Sequence, residues 1–216
     1  MKNLMYLPIA ICLFLVSCQE HDAIFGSGRA VTETRAVNNF TKVKSEGVFD
    51  VTITQGLEQS VEITADDNII GLVKTSVVNN ELRLSLKNDG YHNVTLKARI
   101  TIPHLNGLTN SGTGNMDVSG VSENGAFKVV NSGTGDIRIT GNANSLSIYN
   151  EGTGSFQGFD FIVKDADIEN IGAGLIEVNC SESLKVAIEG SGKAFYKGHP
   201  SLQVDIKGSG SVVNAN

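Results

Sequence analysis

Six Gly-x-Gly triplets punctuate the second half of the chain: Gly112-Thr113-Gly114, Gly133-Thr134-Gly135, Gly152-Thr153-Gly154, Gly172-Ala173-Gly174, Gly190-Ser191-Gly192 and Gly208-Ser209-Gly210. Their first glycines lie 21, 19, 20, 18 and 18 residues apart. A period this regular marks a stacked repeat. Read at every second residue, each repeat obeys one rule. Phe127, Val129, Asn131, Gly133, Gly135, Ile137 and Ile139 share a parity, as do Leu146, Ile148, Asn150, Gly152, Gly154 and Phe156, and again Ala166, Ile168, Asn170, Gly172, Gly174, Ile176 and Val178. One parity occupies one face of a strand. Apolar residues therefore point inward, the chain turns at the glycines, and apolar residues point inward again.

A repeat of this length cannot bury its apolar face alone. Winding the chain into coils stacked about 4.8 Å apart pairs each strand with its counterparts above and below. The sequence thus predicts an all-β chain folded as a parallel β-helix, with coils of about 18–21 residues and right-handed winding, the usual hand of parallel crossovers. The paired glycines mark one corner in successive coils, where a side chain would strike the neighbouring coil or where φ must be positive. Two residues before each first glycine stand Asn110, Asn131, Asn150 and Asn170, then Ile188 and Ile206. Four stacked asparagines predict an amide ladder along the corner, each side chain bonded to the next. Together with Gly112, Gly133, Gly152, Gly172, Gly190 and Gly208 they form the expected structural ladder.

The half before the repeats alternates in the same way with less regular turns. Phe49, Val51 and Ile53 share a parity, and so do Leu82, Leu84 and Leu86, and Val94, Leu96, Ala98, Ile100 and Ile102. Asn79-Asn80 and Asp89-Gly90 are turn signals. Asp67 or Asn68 is placed to cap a short helix through Ile69, Ile70, Leu72 and Val73. This half is expected to supply irregular first coils and an N-terminal cap containing one short helix, shielding that edge from open-ended pairing. The expected organisation is a single β-helix domain over 39–216, with irregular coils at 39–105 and the repeats at 106–216. Before it, 18–38 reads as a flexible polar tether and 1–17 as a leader.

The leader has an apolar stretch from Leu4 to Val16 after Lys2, too short to span a bilayer and suited to an export signal. It ends in Leu15-Val16-Ser17-Cys18, which resembles a bacterial lipobox and implies cleavage before Cys18 and diacylglycerol attachment to its sulfur. Cys12 and Cys18 belong to this leader, so Cys180 alone remains in the folded part and a disulfide framework within a monomer is excluded. Cys180 reads as buried filler. The net charge of −6 and the lack of a basic run argue against nucleic-acid binding.

The lipobox, Phe25-Gly26-Ser27-Gly28, Phe40-Thr41-Lys42-Val43, Gly47-Val48-Phe49-Asp50-Val51 and the Asn-Ser-Gly-Thr-Gly repeats together resemble the head GIN domain family, also called putative auto-transporter adhesins. The resemblance covers the mature chain. It implies a β-helix-like stack on a lipoprotein of Bacteroides-like bacteria, and it brings no catalytic residues with it. Gln19-Glu20-His21-Asp22 is similar to acidic stretches that mark surface export in such bacteria.

Enzyme sites on β-helices need carboxylates, or a carboxylate with Arg or Lys, converging on one wall. The column after the second glycine is mixed: Asn115, Asp136, Ser155, Leu175, Lys193 and Ser211. Asp160, Asp165 and Asp167 form the best carboxylate group and read as solvated. A calcium solenoid needs the acid in nearly every turn, whereas here Asp136 stands alone. His21, His92, His104 and His199 have no zinc spacing, and the glycines from Gly112 to Gly120 lack the lysine of a phosphate loop. Thr113, Thr134, Thr153, Ala173, Ser191 and Ser209 form an outward stripe of small residues, which suits a tight corner and alternatively could hydrogen-bond a glycan or a partner surface. The expected function is a non-enzymatic, lipid-anchored cell-envelope protein, an outer-membrane lipoprotein facing the periplasm or the cell surface. Its β-helix would present a surface for adhesion or for binding protein or glycan, without cofactor or metal. The alternatives are a polysaccharide lyase or hydrolase using the Asp160–Asp167 region, or an assembly module that self-associates through its C-terminal coil.

Overall fold

The structure, a computed structural model, describes residues 23–87 and 90–216; the leader and its Cys18 lie outside the described residues. In chain order the strands are β1 (Ile24–Phe25), β2 (Ala30–Thr34), β3 (Lys42–Ser45), β4 (Asp50–Gln55), β5 (Ser60–Asp66), β6 (Val73–Val78), β7 (Glu81–Leu86), β8 (Tyr91–His92) and β9 (Leu96–Ile102). The repeats then supply β10 (Gly107–Asn110), β11 (Met116–Ser122), β12 (Ala126–Asn131), β13 (Ile137–Asn150), β14 (Phe156–Asn170), β15 (Leu175–Gly190), β16 (Lys193–Lys197), β17 (Ser201–Gly208) and β18 (Ser211–Asn214).

The chain is an all-β solenoid with two walls. One wall stacks β3, β10, β12, the second half of β13, the second half of β14, the second half of β15, and β17 in parallel. The other stacks β4, β11, the first halves of β13, β14 and β15, then β16 and β18. The Gly-x-Gly corner carries the chain from the first wall to the second. The apolar residues of the inward parity read from the repeats are buried, from Phe127, Val129, Ile137 and Ile139 to Ile176 and Val178. Phe127 and Phe161 meet edge to face across the interior at 5.3 Å between ring centroids, a favoured aromatic geometry.

The stack begins earlier than the period suggests. Lys42–Ser45 of β3 lies directly beside Gly107–Asn110, so Gly47 sits below Gly112 and Phe49 below Gly114. The intervening chain adds a rung beneath this one, β7 parallel to β3 and β9 parallel to β4, before it returns at Gly107. Within it β5 pairs antiparallel with β9, and β6 with β7 through a turn at Asn79 and Asn80, whose φ values of 53° and 61° suit the two-residue hairpin. This excursion closes the N-terminal end, as the cap reading requires. The short helix is a single 3-10 turn at Ile70–Leu72 with no side-chain cap bond. Asp67 and Asn68 are occupied elsewhere, which is why neither caps it.

Their partners correct the tether reading. Residues 23–38 are folded onto the body: β1 pairs with β8, and β2 runs antiparallel to β5. The turn Asp66-Asp67-Asn68 clasps Phe25-Gly26-Ser27-Gly28-Arg29. The buried Asp66 carboxylate accepts from the N–H groups of Gly28 at 2.9 Å and Thr95 at 2.7 Å. Asn68 accepts from the Ser27 N–H at 3.0 Å and donates to the Phe25 carbonyl at 2.8 Å. Asp67 accepts from the Ser27 hydroxyl at 2.6 Å and pairs with Arg29 at 2.7 Å. The Ser27 hydrogen bond, with the Arg29 charge, holds the Asp67 carboxyl below its ordinary value. A polar segment reads as loose until its partners, some 40 residues away, are known.

The corner glycines are fixed by contact. A Cβ on Gly112 would stand on the Gly47 carbonyl, one on Gly133 on that of Gly112, one on Gly152 on that of Gly133, and one on Gly172 on that of Gly152. Gly133→Ala is therefore expected to destabilise the fold by more than about 3 kcal/mol in denaturant unfolding. Gly125→Ala, where an added Cβ meets nothing within 4 Å, should stay within about 0.5 kcal/mol.

Candidate functional site

Two polar columns flank the glycine corner, one inside and one outside. Inside, Asn110, Asn131, Asn150 and Asn170 are all buried. Each donates its amide to a carbonyl of its own corner: Asn110 to Gly114 at 3.1 Å, Asn131 to Gly135 at 3.2 Å, Asn150 to Gly152 at 3.3 Å and Asn170 to Gly174 at 3.0 Å. Asn110 and Asn131 also accept from the N–H groups of Gly112 and Gly133, at 3.2 and 3.3 Å. The expected side-chain ladder is thus corrected. Only one direct amide–amide bond forms among these four, from Asn150 to Asn170 at 2.9 Å. The amides complete the hydrogen bonding of a bent backbone whose wall ladder is interrupted. The second glycine makes room for them, since a Cβ on Gly135, Gly154 or Gly174 would come within 3 Å of the asparagine nitrogen of the coil before.

Outside, the column weighed as an enzyme wall has a structural use that the sequence reading missed. Asp50 accepts from the N–H of Asn115 at 3.1 Å, Asn115 from that of Asp136 at 2.9 Å, and Asp136 from that of Ser155 at 2.8 Å. Each oxygen takes the corner N–H of the next coil. The signal was an Asp or Asn one residue past the corner in three successive coils, but the Asp50 coil lay outside the detected period. The Thr113, Thr134, Thr153, Ala173, Ser191 and Ser209 stripe is exposed along the apex.

The other candidates do not converge. Asp165 stacks between Ser145 and Ser183, and Asp167 between Ser147 and Lys185, with Lys185 Nζ 3.6 Å from the Asp167 carboxylate. Cys180 is fully buried with its thiol on the carbonyls of Lys164 and Ser183, at 3.0 and 3.1 Å. Burial pushes that thiol up, against reactivity. His104 lies 3.7 Å from Glu123, and His92 stacks on Phe25.

What the stack does build is a groove on the outer face of the first wall, of about 580 Å³. Two outward columns line it in register. One runs Lys128, Ser147, Asp167, Lys185, Gln203 and the other Val130, Tyr149, Glu169, Ala187, Asp205. It continues past Lys128 into a second hollow of about 380 Å³ reaching Gly107, Lys42 and Glu81. Tyr149 is half-buried on its floor. The negative charge of Glu151, then desolvation, then Glu169 raise its phenol above the ordinary value, so the ring presents a neutral hydroxyl. Sequence reading missed Tyr149 because it looked beside the glycines, whereas this aromatic lies mid-strand on the outward parity.

The geometry is thus that of a two-walled parallel solenoid with a mixed polar groove on one face. The family model described as "Putative auto-transporter adhesin, head GIN domain" matches residues 39–200, and the chain belongs to that family. A solved putative adhesin from Bacteroides fragilis is 26% identical, with a TM-score of 0.71, covering 89% of this chain and all of that one. A putative adhesin from Parabacteroides distasonis is 23% identical over 90% of this chain and all of its own, with a TM-score of 0.52. From the same organism, a structure named as a putative lipid binding protein is 20% identical over 90% of this chain and all of its own, at a TM-score of 0.50. These last two show the fold. Among curated proteins none matches the chain.

Asn131→Ala removes the acceptor of the Gly133 N–H and one of the two amide donors to the Gly135 carbonyl, in a buried place. It is expected to cost about 2–3 kcal/mol in equilibrium unfolding, with the β signature of the circular dichroism spectrum retained.

Proposed function

We propose that this chain is a lipid-anchored, non-enzymatic protein of the bacterial cell envelope, held in the outer membrane through Cys18, whose first wall binds glycan. Membership of the adhesin family supports a binding role at the envelope or cell surface. The observation that carries the glycan reading is Tyr149 on the floor of a groove edged by Lys128, Asp167, Glu169, Lys185 and Asp205. An aromatic face packs against the apolar face of a sugar ring, while its hydroxyl and the flanking charged groups hydrogen-bond the sugar hydroxyls. The side chains run in register across coils, so the groove offers the same spacing at each rung, which suits an extended polymer better than a small compact ligand. Asp165 and Asp167 stack on serine and lysine, an arrangement fit to orient hydroxyls.

Affinity electrophoresis against envelope polysaccharides tests this reading. Retardation by at least one polysaccharide is expected, and Tyr149→Ala should weaken it about tenfold, the equivalent of about 1.4 kcal/mol, with the unfolding midpoint unchanged. No retardation by any glycan, or full retardation of the variant, would overturn it. For the anchor, Cys18→Ser should move the protein expressed in its native envelope from the detergent phase to the aqueous phase.

A further inference from the structure

The two ends of the solenoid are unlike. At the N-terminal end Ile69 and Ile70 are buried under the antiparallel strands of the cap. At the other end β17 pairs with β15 alone, and every residue of it is exposed. Its inward residues Leu202, Val204 and Ile206 continue the columns of Leu184, Val186 and Ile188. The latter are 1%, 1% and 0% exposed, whereas the former are 43%, 41% and 39% exposed. The free edge of β17 also leaves a row of main-chain donors and acceptors without a neighbouring strand among the described residues, a template for pairing.

We propose that this edge pairs with the same edge of a second copy, β17 against β17 antiparallel about a two-fold axis at Val204, joining the two wall grooves end to end. A head-to-tail stack would set the bare apolar coil against a cap whose interior is already closed and whose edge strand β6 carries Lys74. The tail-to-tail arrangement is self-complementary, as an isologous interface requires. In an antiparallel pair opposed side chains share a face, so a two-fold axis must pass through a residue. At Val204 it sets Leu202 against the partner's Ile206, Val204 against itself, and Gln203 against the partner's Asp205. At Asp205 it would set two carboxylates directly opposite, which is destabilising. At Gln203 it would bring in Pro200, which has no N–H to give. At Ile206 it would leave Val204 facing a glycine.

The axis stands perpendicular to the wall, so both outer faces look the same way. Gln203 and Asp205 line the end of the groove at this edge, and the partner's Gln203 and Asp205 continue it. The result is one track running from the Tyr149 of one copy to that of the other. This consequence rests on the glycan reading, whereas the pairing itself does not.

Residues 23–216 hold every strand found among the described residues, and Cys180 as their only cysteine, so they serve for the test. Light scattering is expected to give twice the chain mass at tens of micromolar, and half of that for Val204→Lys with an unchanged circular dichroism spectrum. On oxidation Val204→Cys should form a covalent dimer. Asp205→Cys should not, because it lies two residues out of register with its own copy, about 7–8 Å away and beyond disulfide reach. A monomeric mass at every concentration up to the millimolar range, a dimer that survives Val204→Lys, or cross-linking of Asp205→Cys in preference to Val204→Cys would each overturn the pairing. For the joined groove, a long polysaccharide should bind the wild type about tenfold or more above a short oligosaccharide, a gain lost in Val204→Lys. Equal binding of long and short glycans by a proven dimer would overturn the joined track alone. Absence of binding by dimer and monomer alike would refute the glycan reading and leave the pairing standing.

Discussion

At the corner between the two walls, a single main-chain oxygen does two things at once. The carbonyl of Gly47 accepts the N–H of Thr113 at 2.8 Å, and that of Gly112 accepts the N–H of Thr134 at 3.0 Å. These same oxygens occupy the place where a Cβ on Gly112 or Gly133 would fall. Hydrogen bonding between coils and intolerance of side chains are one geometric fact there. The coils can approach closely enough to pair their corners only if the glycine positions there carry no side chain. Everything else in the stack follows from holding that spacing, including the register of both walls and the continuous interior packed between them.

The bend also frees backbone groups that a straight strand would pair, and the chain answers in two ways. Where the inner position is Asn110, Asn131, Asn150 or Asn170, the amide supplies the missing partners. Where it is Ile188 or Ile206, the first glycine of the corner turns to a φ of +130°. In the last of these corners the N–H groups of Ser209 and Gly210 both reach the Gly190 carbonyl, at 2.9 and 3.0 Å, more closely than Thr134 and Gly135 reach that of Gly112 in an asparagine corner, at 3.0 and 3.3 Å. Outside, the same exchange occurs. Asp50, Asn115 and Asp136 serve the early corners, and in later ones the N–H groups of Lys193 and Ser211 find the carbonyls of Gly174 and Gly192, both at 3.3 Å. Side-chain amides and a glycine-only conformation are thus alternative solutions to one shortage, since a buried unpaired backbone group costs about as much as a lost hydrogen bond.

Much of this was legible in the sequence, because period and parity are local. The alternation of Phe127, Val129 and Asn131 needs no knowledge of what lies above or below it, and every inward residue it names is buried. What stayed hidden depends on partners far along the chain. The Gly47 coil is one rung below Gly112 but 65 residues away in sequence, beyond any search at a spacing near 20. Ser27 and Arg29 look like linker residues until Asp66, Asp67 and Asn68 are brought to them by β5. The four asparagines lie at the corner, yet their bonds go mostly to their own coil, where a corner carbonyl stands two or four residues ahead in the chain. Tyr149 was overlooked because outward residues carry no period. Its surroundings come from Lys128, Asp167 and Glu169, which arrive near it only when the coils on either side are stacked.

That division has a consequence for how such a scaffold carries function. Inside, each rung repeats the same demands, so the residues there are nearly fixed by volume and hydrogen bonding. Outside, the wall imposes only strand propensity, and a column such as Lys128, Ser147, Asp167, Lys185 and Gln203 changes charge freely from rung to rung. Recognition can therefore be written on the wall without disturbing the fold, as expected of a scaffold whose sites are grafted upon it. The ends are the exception. There the interior columns surface, and Leu202, Val204 and Ile206 must serve at once as core and as surface. A solenoid cannot remove this conflict by adding rungs, because each added rung moves it one coil further. It is resolved by a cap, as at Ile69 and Ile70, or by another edge of matching shape. On β17 the groove residues Gln203 and Asp205 alternate with Leu202, Val204 and Ile206, which continue the core columns yet are exposed.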